Sequence, residues 1–380
     1  MEKTKKVSFF IQAIFFIASI FTPILISAIF PQDFNTVSRS ENRMLAKRPL
    51  FEVSLLDPYP KRYENFYNDH FLFRSQLMSY NSFINYFFFH QSPNPKMVVA
   101  GRDGWLFYAN RERMVYEGTK TIKAYEVQSV VEELHRRTLF LKRKGIPLYV
   151  VMAPMKSDIY FDFLPPYYKR AAKSIPEMLI SAIRKDTVIH LIDLKPGLVE
   201  ARKKHRIYYK TDTHWNSRGA FQAYSMIMDR LKEDFPCLKP MTPDDVGFEE
   251  YKYHGLDLAT TIGLEKFIPD TVCDEKLKKP RAVEGRKAGY PPSPYFGYPD
   301  LYEIVMEVAD TTLPRVVVIR DSYFRSVIPF FSQHFSKSVY IFDNWDYGAN
   351  YSIIMNEKPD LVLLEVLGSN SANLLQNQTK

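Results

Sequence analysis

The sequence predicts an α/β fold: a mainly parallel sheet in a three-layer arrangement, with helices on both faces. Three observations predict it. From about residue 125 onward, short near-continuous apolar runs recur, as strands buried on both faces require. Segments with apolar residues at helical spacing lie between them, so the two kinds of element alternate. The chain has 380 residues, 46% hydrophobic and 15% aromatic, enough for one large core or two modest ones.

The elements follow in order. Val127–Lys144 places Val130, Val131, Leu134, Thr138 and Leu141 on one helix face, and Gly145 stops it. "IPLYVVMAP" (Ile146–Pro154) reads as a buried strand, and a helix around Ile175–Ile183 leads to a second strand, "VIHLIDL" (Val188–Leu194). Ala220, Phe221, Tyr224, Ile227, Met228 and Leu231 share the face of another helix. "RVVVIRDSYF" (Arg315–Phe324) is a strand that breaks into a turn, after which Phe324, Val327, Ile328, Phe331 and Phe335 recur at helical spacing. "SVYIFDNW" (Ser338–Trp345) and "DLVLLEVLG" (Asp360–Gly368) complete the strands. The Pro-, Lys-, Tyr- and Gly-rich stretch from about 236 to 312 lacks strong periodicity, so it is expected to be an irregular insertion over the site.

Residues 31–124 are expected to form a collar packing on this body, which runs over 125–380. Within the collar, Tyr63–His90 is partly amphipathic and very aromatic, and it reads as an ordinary core helix. "GRDGWLFY" (Gly101–Tyr108) reads as a turn entering a strand. At the start of the chain, Lys3, Lys5 and Lys6 precede a 24-residue uncharged apolar run, Val7–Phe30. That exceeds a signal-peptide core of about 7–15 residues and reaches the roughly 20 needed to span a bilayer. Residues 1–30 therefore read as a signal anchor, in competition with a signal cleaved at the weak site Ile26-Ser27-Ala28. Positive-inside logic puts Lys3 to Lys6 in the cytoplasm and everything after Pro31 outside. Cys237 and Cys273 suit an exported body, and their pairing stays open.

The net charge of +8 is scattered. It could favour an acidic polymer or anionic headgroups, but no zinc-finger spacing, RNP motif or basic helix points to nucleic acid. A Gly-rich phosphate loop is also lacking, so no cofactor is expected.

The chemistry concentrates in two places. Ser322 directly follows one strand and precedes a helical pattern, at the carboxyl end of a parallel sheet where ligands bind. "KTDTHWNSRGAFQAY" (Lys210–Tyr224) presents Asp212 and His214 just before another helix. A histidine near a serine hydroxyl can take its proton, and a carboxylate on the other ring nitrogen fixes the tautomer. The competing reading makes Ser322 a helix cap, and starts the other helix at Asp212 or Asn216 with His214 idle at the surface. A metal site would need His190, His205 or His254 as further ligands, and no pair has the spacing that closes one. None is expected.

These residues also carry a resemblance. "TDTHWNSRGA" resembles the Asp-x-His-Trp motif of the alginate O-acetyltransferase family, whose members carry an SGNH hydrolase-like domain. "ENRMLAKRP" at Glu41, "YENFYNDHFLFRSQL" at Tyr63, "GRDGWLFY" at Gly101, "APMKSDIYFDFLP" at Ala153, "GLDLATTIG" at Gly255 and "RDSYF" at Arg320 follow in order. The resemblance covers roughly residues 40–368. It implies a permuted SGNH hydrolase-like fold in which Asp-His precedes Ser. By position, Ser322 would be the nucleophile, His214 the base and Asp212 the orienting carboxylate. Arg320 and Leu256 stand where the family commonly has glycine. Tyr323, Lys156, Arg325 and Trp215 are candidates for oxyanion or substrate binding. The implied activity is O-acetyl transfer to an extracytoplasmic polysaccharide, beside a multi-spanning membrane acyltransferase that supplies acetyl groups. An acetylesterase with the same triad, or a non-catalytic polysaccharide-binding subunit, remains open at this point.

Overall fold

The computed structural model describes residues 2–29, 37–38, 43–52, 56–292, 296–343 and 347–375. Phe30, Trp345 and parts of the expected collar and insertion (31–36, 39–42, 53–55, 293–295) lie outside them. The chain divides into two compact units, one of residues 1–93 with 259–267, the other of 94–258 with 268–380.

In the first unit, α1 (Glu2–Ile29) carries the apolar run, and Phe9, Phe10, Phe15 and Phe16 on it are exposed. Among the described residues no helix is long and apolar enough to cross a membrane. The fold by itself therefore does not supply the spanning anchor expected over Val7–Phe30. Two short strands, β1 (Val37–Ser38) and β2 (Arg43–Met44), pair antiparallel. Helices α2 (Pro58–Asp69) and α3 (Arg74–Phe87) follow. Leu77, Tyr80 and Ile84 of α3 are exposed, so it is not the core helix expected. The Ala259–Phe267 segment joins this unit through a Ser79 hydroxyl bond to the Gly263 carbonyl (2.7 Å) and Phe83–Phe267 ring contact.

The second unit begins earlier than residue 125. β3 (Val98–Ala100) and β4 (Leu106–Tyr108) form a hairpin, followed by α4 (Arg111–Tyr116). Trp105, Leu106 and Phe107 are buried, and the Leu106 amide donates to Lys210 O at 2.8 Å. That burial makes the "GRDGWLFY" segment part of the body instead of a collar.

The predicted alternation then appears: α5 (Ala124–Lys142), β5 (Leu148–Ala153), α6 (Lys156–Ile159), α7 (Ile175–Ile183), β6 (His190–Asp193), α8 (Lys195–Ala201) and α9 (Ser217–Asp234). The region expected to be irregular instead holds an eight-pair antiparallel hairpin, β7 (Val246–Tyr253) with β8 (Asp270–Leu277). It also supplies two strands to the main sheet, β9 (Val283–Glu284) and β10 (Glu303–Glu307). Their side chains alternate weakly between apolar and polar because one face or an edge is wet. β11 (Arg315–Arg320), β12 (Lys337–Phe342) and β13 (Leu361–Leu367) finish the sheet, whose order is β6-β5-β13-β11-β12-β10-β9. The first five strands run parallel; β10 and β9 are antiparallel at one edge.

The sheet separates two cores, because successive strand residues point to opposite faces. Tyr149, Val151, Val316, Val318 and Leu363 join α8 and α9 on one face. Leu148, Val150, Val317, Ile319 and Leu364 join α5 and α7 on the other. This is the three-layer arrangement expected. α5 buries the five predicted residues and ends where Gly145 takes a φ of +76°. After β11 the expected helix is broken into short turns around Pro329, which lacks an amide donor, although Phe324, Val327, Ile328, Phe331 and Phe335 are all buried.

The start of α9 is tightly fitted against the preceding chain. A Cβ added at Gly219 would lie 2.2 Å from Ile207 O and 2.8 Å from Trp215 Cβ. Ile207 O accepts the Asn216 amide, so it cannot retreat freely. Gly219→Ala is expected to destabilise the chain by about 1–3 kcal/mol through overpacking. Urea denaturation followed by circular dichroism measures it; an unchanged midpoint would refute the tight fit.

Candidate active site

The Lys210–Trp215 segment is a closed loop with little pairing of its own. Tyr208 and Trp215 form an isolated antiparallel bridge at its base, and Tyr209 N donates to His214 O. Neighbours satisfy the rest. Thr211 N and Oγ1 both donate to the buried Asp270 Oδ2 at 2.7 and 2.8 Å. Thr211 in turn accepts from the amides of Leu256 and Leu258. Thr213 N and Oγ1 each donate to a different oxygen of Asp257, at 3.1 Å.

Within this frame the Asp212 carboxylate accepts the His214 amide at 2.8 Å and faces His214 Nδ1 at 2.7 Å. His214 Nε2 lies 2.9 Å from Ser322 Oγ. The three side chains thus form one continuous hydrogen-bonded row. The cap readings fail for both ends of it. Asn216, not Asp212, caps α9, its Oδ1 accepting from Arg218 N and Gly219 N. Ser322 opens the turn after β11 without making a side-chain cap bond.

Ser322 sits beyond β11, Lys156 beyond β5, and Glu365 and Leu367 on β13 between them, so the site occupies the carboxyl ends of three adjacent parallel strands. Asp321 fixes the nucleophile turn. Its Oδ1 accepts the Tyr323 amide at 2.9 Å, and its Oδ2 accepts Tyr347 OH and the Leu367 amide, each at 2.9 Å. The Asp321 amide donates to Glu365 Oε2 at 3.0 Å. Burial pushes the Glu365 carboxyl well up, and neighbouring Asp321 pushes it further. Two buried carboxyls beside each other are accommodated by keeping Glu365 neutral.

The other candidates for oxyanion or substrate binding divide by burial. The Tyr323 amide is already given to Asp321, so it is not an open oxyanion donor; the Tyr323 hydroxyl donates to Thr213 O at 2.7 Å. Among the described residues the Ser322 amide makes no hydrogen bond, which leaves it for that role. Lys156 is fully buried and does not face substrate. Its ammonium donates to Leu106 O, Lys210 O and Asp212 O at 2.6, 2.8 and 2.9 Å. Trp215 is 1% exposed, too buried to stack on a sugar; its indole N–H donates to Tyr323 O and Ser326 Oγ, tying the histidine loop to the serine turn. Arg325 is exposed on that turn. Arg320, where the family commonly has glycine, is buried at the end of β11, with its guanidinium on Asp321 O and Leu301 O and over the Phe342 ring.

Asp257, Thr213, Asp270 and Glu112 escaped the sequence reading. Asp257 left a trace there, in the "GLDLATTIG" block, and Thr213 stands inside the Asp-x-His-Trp motif with no role given to it. Asp212, His214 and Asp257 bring ligand atoms within 4.8 Å of one another. In this arrangement those atoms are engaged by His214 and Thr213 hydrogen bonds. Cys237 and Cys273 are both unbonded.

Electrostatics follow from burial and neighbours. Burial alone would depress the His214 pKa. The charge and hydrogen bond of Asp212, helped by Asp257 and Asp321, outweigh it and hold His214 up at about 9. For Asp212, burial works upward, but His214 and then Lys156 bring its carboxyl below the ordinary range. Burial pushes Lys156 down to about 7 and Glu112 up to about 8.

A base must be neutral to accept a proton, so hydrolysis of 4-nitrophenyl acetate should rise with pH and level off above about 9. The folded pKa lies above the unfolded value of about 6.5. The Asp212–His214 pair therefore stabilises the fold fully below about pH 6.5, and this contribution fades as pH rises through about 9. Proton NMR titration of the His214 ring should show the high inflection, and Asp212→Asn should bring it down. An inflection near 6.5 in the unsubstituted chain would refute the pairing.

Comparison with known proteins agrees with this fold. Residues 98–286 match the family described as SGNH hydrolase-like domain, acetyltransferase AlgX. The match includes Asp212 and His214 and ends before Ser322, which joins them through the fold. The probable alginate O-acetylase AlgJ of Pseudomonas aeruginosa is 24% identical over 246 residues, 63% of this chain and 58% of that protein. The chain thus spans less than two thirds of that relative's length. The structure of Bacillus cereus PatB1 with a sulfonyl adduct has a TM-score of 0.53 at 18% identity, covering 74% of this chain and 100% of that one. A DHHW family protein from Eubacterium siraeum has a TM-score of 0.52 at 16% identity, covering 74% and 98%. These two likenesses show the fold. Over residues 98–286, just under half of its length, the chain is similar to SGNH hydrolase-like domains of the AlgX acetyltransferase type.

Proposed function

We propose that the chain is an O-acetyltransferase that moves an acetyl group onto hydroxyls of an extracytoplasmic polysaccharide through an acetyl-serine intermediate. The observation that carries the reading is the unbroken row from Asp212 through His214 to Ser322. His214 Nε2 takes the Ser322 proton as Oγ attacks the acetyl carbonyl carbon. The Ser322 amide faces the oxyanion as charge develops there. Collapse breaks the bond to the donor oxygen, which leaves with the proton from Nε2. The acceptor hydroxyl then loses its proton to the same nitrogen and attacks the acetyl-serine, and Ser322 is regenerated with that proton. Asp212 stays ionised throughout, holding the ring and its positive charge.

Ser322→Ala should abolish acetyl transfer with the fold intact. Asp212→Asn keeps the size but loses the charge, and should lower kcat by about 10⁴, the scale known for the equivalent change in a serine protease. The assay is mass spectrometry of an oligosaccharide incubated with an acetyl ester, with thermal melting as control. Free acetate without acetylated sugar would make the chain an esterase, and near-normal rates in either variant would sink the triad.

The reading includes α1 as a signal anchor in the inner membrane, with the body in the periplasm. Three lysines in the first turns of α1, ahead of its uncharged apolar run, support it. One helix cannot carry acetyl groups across a bilayer, so a multi-spanning membrane acyltransferase is proposed as the supplier. Protease added to spheroplasts should digest the body and leave a membrane-bound N-terminal fragment. A protected body, or a mature N-terminus near Ala28, would contradict the anchor.

A further inference from the structure

The β7–β8 hairpin has two unlike faces. On one, Phe248 meets the Phe221 ring of α9, Glu250 pairs with Arg218, and Glu275 accepts from Ser217. The register puts Glu249, Tyr251 and Tyr253 of β7 on the other face, opposite Asp274, Val272 and Asp270 of β8. There Tyr251 and Tyr253 are 44% and 47% exposed, with ring centroids 6.3 Å apart and planes near perpendicular. His254 continues the row, its ring 3.8 Å from that of Tyr253.

This face runs onto the catalytic loop. Asp270, directly across from Tyr253, is the carboxylate that holds Thr211. Four residues beyond Tyr253, a span of at most about 14 Å, the chain reaches Asp257, which holds Thr213. An aromatic row that leads to the residues bracing the His214 loop is placed to lay out a chain whose hydroxyls must reach the site. A tyrosine offers an apolar ring face and a polar tip, which suits the apolar faces and hydroxyl rims of sugar rings.

Charge narrows the class. Lys276 offsets Glu249. Asp274 accepts the Tyr251 hydroxyl at 2.9 Å, and among the described residues no cation pairs with it. At the catalytic end stands the exposed Asp257, while the charge of Asp212 is met by His214. A polyanionic chain would meet carboxylates at both ends of the row, a repulsion that excludes partners as effectively as contacts select them.

Resting on the transferase reading, we propose that Tyr251, Tyr253 and His254 form the acceptor track of this chain, and that the track takes a neutral sugar chain. Isothermal calorimetry on the full chain in detergent tests it with cellohexaose, mannohexaose, chitohexaose and hexameric mannuronate. At least one neutral hexamer should bind at least tenfold tighter than the uronate. Tyr251→Ala and Tyr253→Ala should each weaken that binding roughly three- to tenfold. Tyr251→Phe and Tyr253→Phe, which keep the ring, should restore it, and Tyr125→Ala, an exposed ring on α5, should not change it. Asp274→Asn should raise the affinity for the uronate. Because binding is read without turnover, Ser322→Ala should bind like the unsubstituted chain. Loss of acetyl transfer with binding intact would thus overturn the catalytic reading alone. The track is overturned if no neutral hexamer binds, if the uronate binds as well, if the alanine variants bind unchanged, or if they abolish self-association of the chain.

Discussion

Three backbone carbonyls, from Leu106, Lys210 and Asp212, converge on the buried ammonium of Lys156. The candidate site depends on this convergence. A loop that lacks strand pairing must have its polar groups satisfied from outside, and an ammonium offers three donors to do so. The cation is costly to bury, which is why its pKa falls toward 7. The carbonyls, the ionised Asp212 and the ring faces of Trp105 and Phe107 compensate. Glu112, driven up to about 8 by its own burial, stays neutral nearby instead of adding a second charge.

The histidine loop and the serine turn come from distant parts of the chain, and a small set of bonds sets their relative position. Trp215 bridges them through Tyr323 O and Ser326, and the Tyr323 hydroxyl returns the link to Thr213 O. Asp321 holds the turn from below by taking the Tyr323 amide. One consequence is chemical: of the two amides beside the nucleophile, only that of Ser322 remains for an oxyanion. Lys156 and Trp215, candidates for touching substrate, do the positioning. Their size and polarity suit either task, and only burial separates the two.

The segment between α9 and β11 changes character in the folded chain. From the sequence it is a Pro- and Lys-rich interruption. In the structure it adds two strands to the sheet edge and raises a hairpin whose inner face packs on α9 and whose Asp270, the first residue of β8, anchors the catalytic loop. The same hairpin therefore steadies the loop that carries His214 and presents an aromatic row on its other face.

The sequence by itself determined the sheet and its helices, because burial on both faces leaves a period and an apolar density visible along the chain, as in Leu148–Ala153 and Leu361–Leu367. It also determined Asp212, His214 and Ser322 as the groups capable of the chemistry, since their types and strand-end settings are local features. Only the tertiary structure decided that Asn216, not Asp212, caps α9, and that Asp257 and Asp270 brace the loop. It alone decided that Lys156 lies under the site instead of in it, and that β9 and β10 close the sheet edge. Each of these rests on a contact between residues far apart in sequence, and hydrogen bonds of that kind leave no periodic mark on the chain that forms them.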